Sequence, residues 1–244
     1  MAGSETVIRP LSTLAEFSEA VTLQQEIWGF ADADVVPLPL FVVAHETGGQ
    51  VFGAYEDSRM VGFLLAVAGV KPDRRLFLHS HMLGVLPAGR DAGIGRRLKL
   101  EQRRDALARG IELVEWTFDP LEIKNAYFNI ERLGAIVCRY YENIYGSTSS
   151  PLHGDLPTDR CVAEWWLASP RVEAVLARRG AERRVEERIA VPAELERLRC
   201  VDRARARQIQ RSLAERLLQA FARGLAVIGF ERTPSEGVYL LGRA

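Results

Sequence analysis

Nothing in the sequence narrows its architecture more than one short stretch in which an apolar strand, Leu76 to Val85, turns at Pro87 through Ala88-Gly89-Arg90-Asp91-Ala92-Gly93-Ile94-Gly95 directly into a helix. That helix should run from Ile94 to about Arg109 and close at Gly110. The start of a helix presents N–H groups without intrahelical partners and a partial positive charge, which suits a bound phosphate. Gly93 and Gly95 let a ligand approach the backbone, and Arg90 and Arg96 add charge. Glycines at a helix start also serve as plain turn devices, so the segment acquires meaning only from the frame around it.

The frame alternates extended and helical segments, which predicts an α/β layered sheet. Val7 and Ile8 begin a first strand, and Thr13 with Glu16 forms a capping box for a helix to about Trp28. A second helix spans Pro37 to His45 and stops at Gly48-Gly49. Gln50 to Tyr55 and Met60 to Val70 read as a hairpin. After the glycine turn come a strand, Ile111 to Phe118, and a helix from Pro120 to Leu133, with Asp119 as its cap and Gly134 as its end. Strands at Ile136 to Tyr141 and Cys161 to Leu167 flank a polar loop, Tyr145 to Asp159. Beyond Ser169-Pro170 the chain is rich in Arg, Ala and Glu. Arg184 to Val191 reads as a strand, Ala204 to Arg223 as an amphipathic helix with Ile209, Leu213, Leu217 and Phe221 inward, and Leu225 to Phe230 with Val238 to Leu241 as a closing hairpin. Residues 1–169 and 170–244 are the expected core and extension, the latter packed on the core or on a second subunit.

Composition closes off several function classes. The 244 residues are 48% hydrophobic, and 32 basic side chains balance 32 acidic ones, so no overall field draws in nucleic acid or an anionic membrane. Only three of the basic residues are lysines, Lys71, Lys99 and Lys124. Glutamates interleave with the arginines of the tail and aromatics are few there, so it reads as a solvated face rather than a nucleic-acid arm. No apolar run approaches the roughly 18 residues a membrane span requires. Cys138, Cys161 and Cys200 are odd in number and widely spaced, which suggests buried thiols, with no disulfide framework and no metal site. A cytoplasmic location is expected.

Leu83, Val85, Pro87, Arg90, Gly93 and Gly95, in that order, resemble the acyl-CoA-binding signature of the GNAT acyltransferase superfamily, whose Arg/Gln-x-x-Gly-x-Gly/Ala turn holds the pyrophosphate of coenzyme A. Asn125-Ala126 followed by Arg132-Leu133-Gly134 resembles the later helix that lies along the pantetheine arm. The resemblance covers roughly residues 5 to 168. It implies a mixed, mostly antiparallel sheet flanked by helices, here with a C-terminal helix-hairpin extension, and an N-acyltransferase using acetyl-CoA or another acyl-CoA without a metal. Leu83, Val85, Arg90, Asp91, Ala92, Gly93, Ile94, Gly95, Arg96, Asn125 and Asn129 are its implied CoA-binding positions. The run from Trp116 to Ala135 is similar to a subgroup with a C-terminal extension, some members of which are thought to acylate amino acids beside N-acylamino acid racemases. A small-molecule amine is the implied acceptor, and a homodimer is compatible with it; the alternative is a non-catalytic acyl-CoA-binding module.

Two family positions depart from the pattern. Ile130 stands where many members carry a tyrosine that protonates the leaving thiolate, and Ala135 replaces a phenylalanine. Tyr140, Tyr141 and Tyr145, with Tyr127 behind them, are the candidate replacements. The acceptor must react as a neutral amine, so a general base helps. His79 and His81 fall on one face of their strand by the two-residue period, and Glu115 lies on the next strand. One of the histidines, or Glu115 through water, takes the proton; a strand histidine can equally be a hydrogen-bonded core residue. The resemblance further implies that a main-chain N–H near Leu83 to Val85, at Val85, polarises the thioester carbonyl.

Overall fold

The computed structural model describes residues 5–146, 156–180 and 183–244. They form two compact units, one of residues up to Val114 and one from Glu115 onward. The first contains β1 (Val7–Pro10), α1 (Leu14–Trp28), α2 (Leu38–Glu46), β2 (Gln50–Glu56), β3 (Arg59–Val70), β4 (Leu76–Val85) and α3 (Ile94–Ala108). Its strands run β1-β2-β3-β4, each antiparallel to its neighbour. Thr13 and Glu16 make the expected capping box, and Gly29 closes α1 in the left-handed conformation. Phe17 and Phe63 pack their rings against Phe41 of α2, and Leu64 and Leu78 are buried as well. Gly84 is required on β4, because a Cβ there would come within 2.8 Å of Ile27 and 2.7 Å of Trp28.

The second unit contains most of β5 (Leu113–Phe118), α4 (Ile123–Tyr127), β6 (Ile136–Tyr141), β7 (Arg160–Trp166), α5 (Pro170–Leu176), β8 (Glu187–Pro192), α6 (Leu195–Val201), α7 (Arg203–Ala222), β9 (Ala226–Arg232) and β10 (Glu236–Gly242). Its strand order is β5-β7-β6-β9-β10-β8. β6 pairs antiparallel with β7 on one side and meets β9 at Val137↔Val227 on the other. The C-terminal strands therefore continue the same sheet.

Three sequence expectations need correction. The helix expected at Pro120 begins at Ile123, because Asp119 is used elsewhere: its side chain accepts the N–H of Leu121 at 2.8 Å and pairs with Arg199 at 2.8 Å, while Tyr239 donates to the Pro120 carbonyl at 2.6 Å. The buried stripe of α7 is Ala206, Gln210, Leu213, Leu217 and Ala220, leaving Ile209 and Phe221 only half-buried. Strict steps of four drift about 40° each around a helix of 3.6 residues per turn, so a stripe of Ile209 and Phe221 cannot keep facing one surface. Among the cysteines, Cys161 is buried, Cys138 is intermediate and Cys200 is exposed. Helices α5, capped by Ser169 with Pro170 in the first turn, and α6 had no counterpart in the sequence reading. The central part of the polar loop, 147–155, lies outside the described residues.

Candidate active site

In the first unit the glycine turn is built as an uncapped helix start. Gly93 is the N-cap of α3 at φ 81°, with no side chain capping the helix and no carboxylate in its first turn. The first helical hydrogen bond runs from the Arg97 N–H to the Gly93 carbonyl at 3.0 Å, so the N–H groups of Ile94, Gly95 and Arg96 precede it. Asp91 also takes positive φ, at 67°, which winds the turn tightly. Arg90 is exposed and spends one donor on the Ile27 carbonyl at 3.1 Å, anchoring the turn to the end of α1. A Cβ added at Gly93 would meet nothing within 4 Å. Glycine is needed there by its backbone angle, and the space in front of it is open.

On β4 the burial alternates. Leu78, Ser80, Met82 and Gly84 are buried, whereas His79, His81, Leu83 and Val85 keep more exposed surface. The Leu86 N–H reaches back to the Val61 carbonyl on β3 at 2.9 Å. Successive N–H groups alternate along a strand, so that of Val85 points away from β3. The rings of His79 and His81 are 6.0 Å apart. Burial, reinforced by His81, Lys99 and Lys71, lowers His79 to about 4. Burial alone lowers His81, although it keeps solvent-reached surface. Both imidazoles are therefore neutral at pH 7, with a lone pair available.

In the second unit Glu115 on β5 is buried and pairs with Arg139 of β6, whose Nε also donates to Glu164 of β7 at 3.0 Å. Cys138 is an extra residue in β6, opposite the step from Ala163 to Val162. Its thiol donates to the same Glu164 oxygen at 3.0 Å and is pushed up to about 12 by burial and that bond. The cluster was not foreseen apart from Glu115; the adjacent Cys138-Arg139 on an otherwise apolar strand was its signal. Tyr140 is buried and donates to Asp159 at 2.7 Å, and burial with that bond holds its proton far above the usual range. That removes Tyr140 as a ready acid. Tyr141 is exposed, and Tyr145 shares its hydroxyl with Thr117 at 2.8 Å. Asn125 is exposed on α4; Asn129 is buried in the π-helical turn Phe128–Arg132 that continues it, where the Leu133 N–H reaches the Phe128 carbonyl at 3.1 Å. Ile130 is fully buried, and Gly134 ends the turn at φ 83°.

No family model matches the sequence, and no curated protein matches it. Solved structures do share its architecture. A Desulfovibrio desulfuricans protein assigned as a GNAT-family acetyltransferase superposes with a TM-score of 0.53 at 17% identity, covering 67% of this chain and 100% of that one. The ribosomal-protein-S18-alanine N-acetyltransferase of Escherichia coli gives 0.53 at 17% identity, over 68% and 96% of the two chains. This chain has the GNAT acetyltransferase fold. Arabidopsis thaliana Naa50, solved with the bisubstrate analogue CoA-Ac-MVNAL, shares the GNAT fold with it at a TM-score of 0.51 and 15% identity, over 65% and 97%. The matches take in nearly all of each GNAT structure and about two thirds of this chain.

Proposed function

We propose that the protein is an acyl-CoA-dependent N-acyltransferase that moves an acetyl or other short acyl group, such as succinyl, to the primary amine of a small molecule such as an amino acid. The observation that carries this reading is the uncapped, carboxylate-free start of α3 behind Gly93. Together with Arg90, the N–H groups of residues 94–96 suit a pyrophosphate, and the Val85 N–H suits a carbonyl oxygen that gains charge. Acyl-CoA supplies the acyl group as a thioester. The chain's own task is to present a neutral amine to it, which at pH 7 costs roughly 1.4 kcal/mol for an α-amino group and roughly 4.6 kcal/mol for a lysine. His81, neutral and accessible, is the group we assign to take the amine's proton as the new C–N bond forms; the thioester C–S bond breaks, and CoA leaves as the thiolate, which takes up a proton to become the free thiol. Glu115 suits that role less, since Arg139 already occupies its carboxylate.

Calorimetric titration of CoA tests the reading, with Gly93→Val as the control. The wild type should bind and the variant should lose affinity at least tenfold while staying folded; equal affinity would move the pyrophosphate away from this turn. The committed hydroxyl of Tyr140 and the apolar Ile130 favour one other reading, an acyl-CoA-binding module without turnover. CoA binding with no acylation across a panel of amines would establish it.

A further inference from the structure

The first unit buries a lysine for which acyl transfer has so far given no use. Lys99 of α3 is 2% exposed, and its Nζ donates to Ser80 Oγ at 2.9 Å and to Gln102 Oε1 at 3.0 Å. Gln102 Nε2 donates to Gln50 Oε1 at 2.9 Å, and Gln50 Nε2 returns to the Gln102 carbonyl at 3.1 Å and to Asp105 at 2.7 Å. These two oxygens belong to a hydroxyl and a side-chain amide, and burial lowers the Lys99 ammonium well below the usual range. Burying an amine is costly, and a methionine of similar reach would fill the same space without that cost. What methionine lacks are the bonds to Gln102 and, across to β4, to Ser80.

The place of that bond is specific. β4 carries an extra residue where the register steps from Leu65↔Met82 to Ala66↔Ser80, and the extra residue is His81. A bulge leaves one residue unpaired and bends the strand, so the side chains around it are aimed by whatever holds the strand at that point. Gln50, Ala66 and Ser80 stand in one row across β2, β3 and β4 at the bulge. The hydrogen-bonded chain from Ser80 through Lys99 and Gln102 to Gln50 spans that row from behind, on the face opposite the two histidines. We infer that Lys99 is a positioning residue: through Ser80 it fixes the β4 bulge and thereby the paired setting of His79 and His81. The inference rests on the proposed acyl transfer for its consequence in rate, and on the bulge geometry alone for its consequence in the free protein.

The test uses Lys99→Met and Ser80→Ala in the full chain, with two readouts. In the free protein, nitrogen-correlated NMR of the imidazoles follows the titration of His79, one of only four histidines. The charged or titratable groups acting on His79 are His81 on β4, Lys99 on α3 and Lys71 in the β3–β4 turn. Releasing the bulge lets water reach the ring, so its midpoint should rise from about 4 toward 6.5 in both variants, including Ser80→Ala, which keeps Lys99. In the transfer assay, CoA affinity should hold while kcat falls about 10- to 100-fold, the scale of a misplaced catalytic group. The double variant should be no worse than either single one, because both act through one bond. Unchanged His79 titration with unchanged kcat in folded Ser80→Ala would overturn the inference, and Ser80→Ala serves even if Lys99→Met fails to fold. Absence of transfer in the wild type would defeat the proposed function, whereas the NMR arm would still decide the positioning role.

Discussion

His79 and His81 share the open face of β4 with their rings 6.0 Å apart, on either side of the point where Ser80 ties the strand to the buried end of Lys99. A bulge and two neutral bases, tied from behind to a buried polar chain, thus occupy residues 79–81, ahead of the phosphate-suited turn and of Gly93, the N-cap of α3. The consequences of this arrangement can be measured separately.

His79 makes stability depend on pH in a defined window. Its folded value, lowered to about 4, lies below its unfolded value near 6.5. Between these limits the unfolded chain binds the extra proton, so stability is full above about 6.5 and declines as pH falls toward 4. Urea denaturation of His79→Gln should show a shallower decline across that window than the wild type. Parallel curves would contradict the buried, neutral assignment.

Glu16 works at lower pH. Hydrogen bonds from Ser12, Arg9 and Thr13 lower its carboxyl to about 2, so its contribution persists above its unfolded range and is lost as pH falls through about 2. Thr13→Ala removes one half of the capping box and should cost about 1 kcal/mol in thermal or urea denaturation. A loss below a few tenths would show that the cap is not formed in solution.

Glu115→Gln separates the two candidate bases. With His81 as the acceptor of the proton, kcat should change less than about threefold in this variant, against about 10²- to 10⁴-fold in His81→Gln. The opposite order would transfer the role to Glu115.

Removing residues after Ser169 should lower both solubility and melting temperature. It would strip β9 from β6, leave Asp119 without Arg199 and leave the Pro120 carbonyl without Tyr239. A truncated chain that kept its melting temperature would show these contacts to be dispensable.

The parts legible in the sequence were those governed by local chemistry. The capping box at Thr13 and the glycines that end helices rest on nearest neighbours, and they formed, whereas the two-residue period of β4 is broken by the bulge at His81. Asp119 misled because Arg199 and Tyr239, far along the chain, compete for the groups that would have begun a helix. Lys99 carried a readable signal: Ile94, Leu98, Gln102 and Ala106 form the buried stripe of α3, and a stripe with a glutamine at its middle must bring polar partners inside. The salt-bridge cluster of Glu115, Arg139 and Glu164 gathers one residue from each of three strands, and only the strand order brings them together.

The most direct measurement is mass-spectrometric detection of the N-acylated product after incubating the protein with acetyl-CoA and amines that include free amino acids. The account predicts an N-acetylated amine and an equal amount of free CoA thiol, formed by the wild type and about 10²- to 10⁴-fold more slowly by His81→Gln. Tight CoA binding with no acylated product from any amine would contradict it.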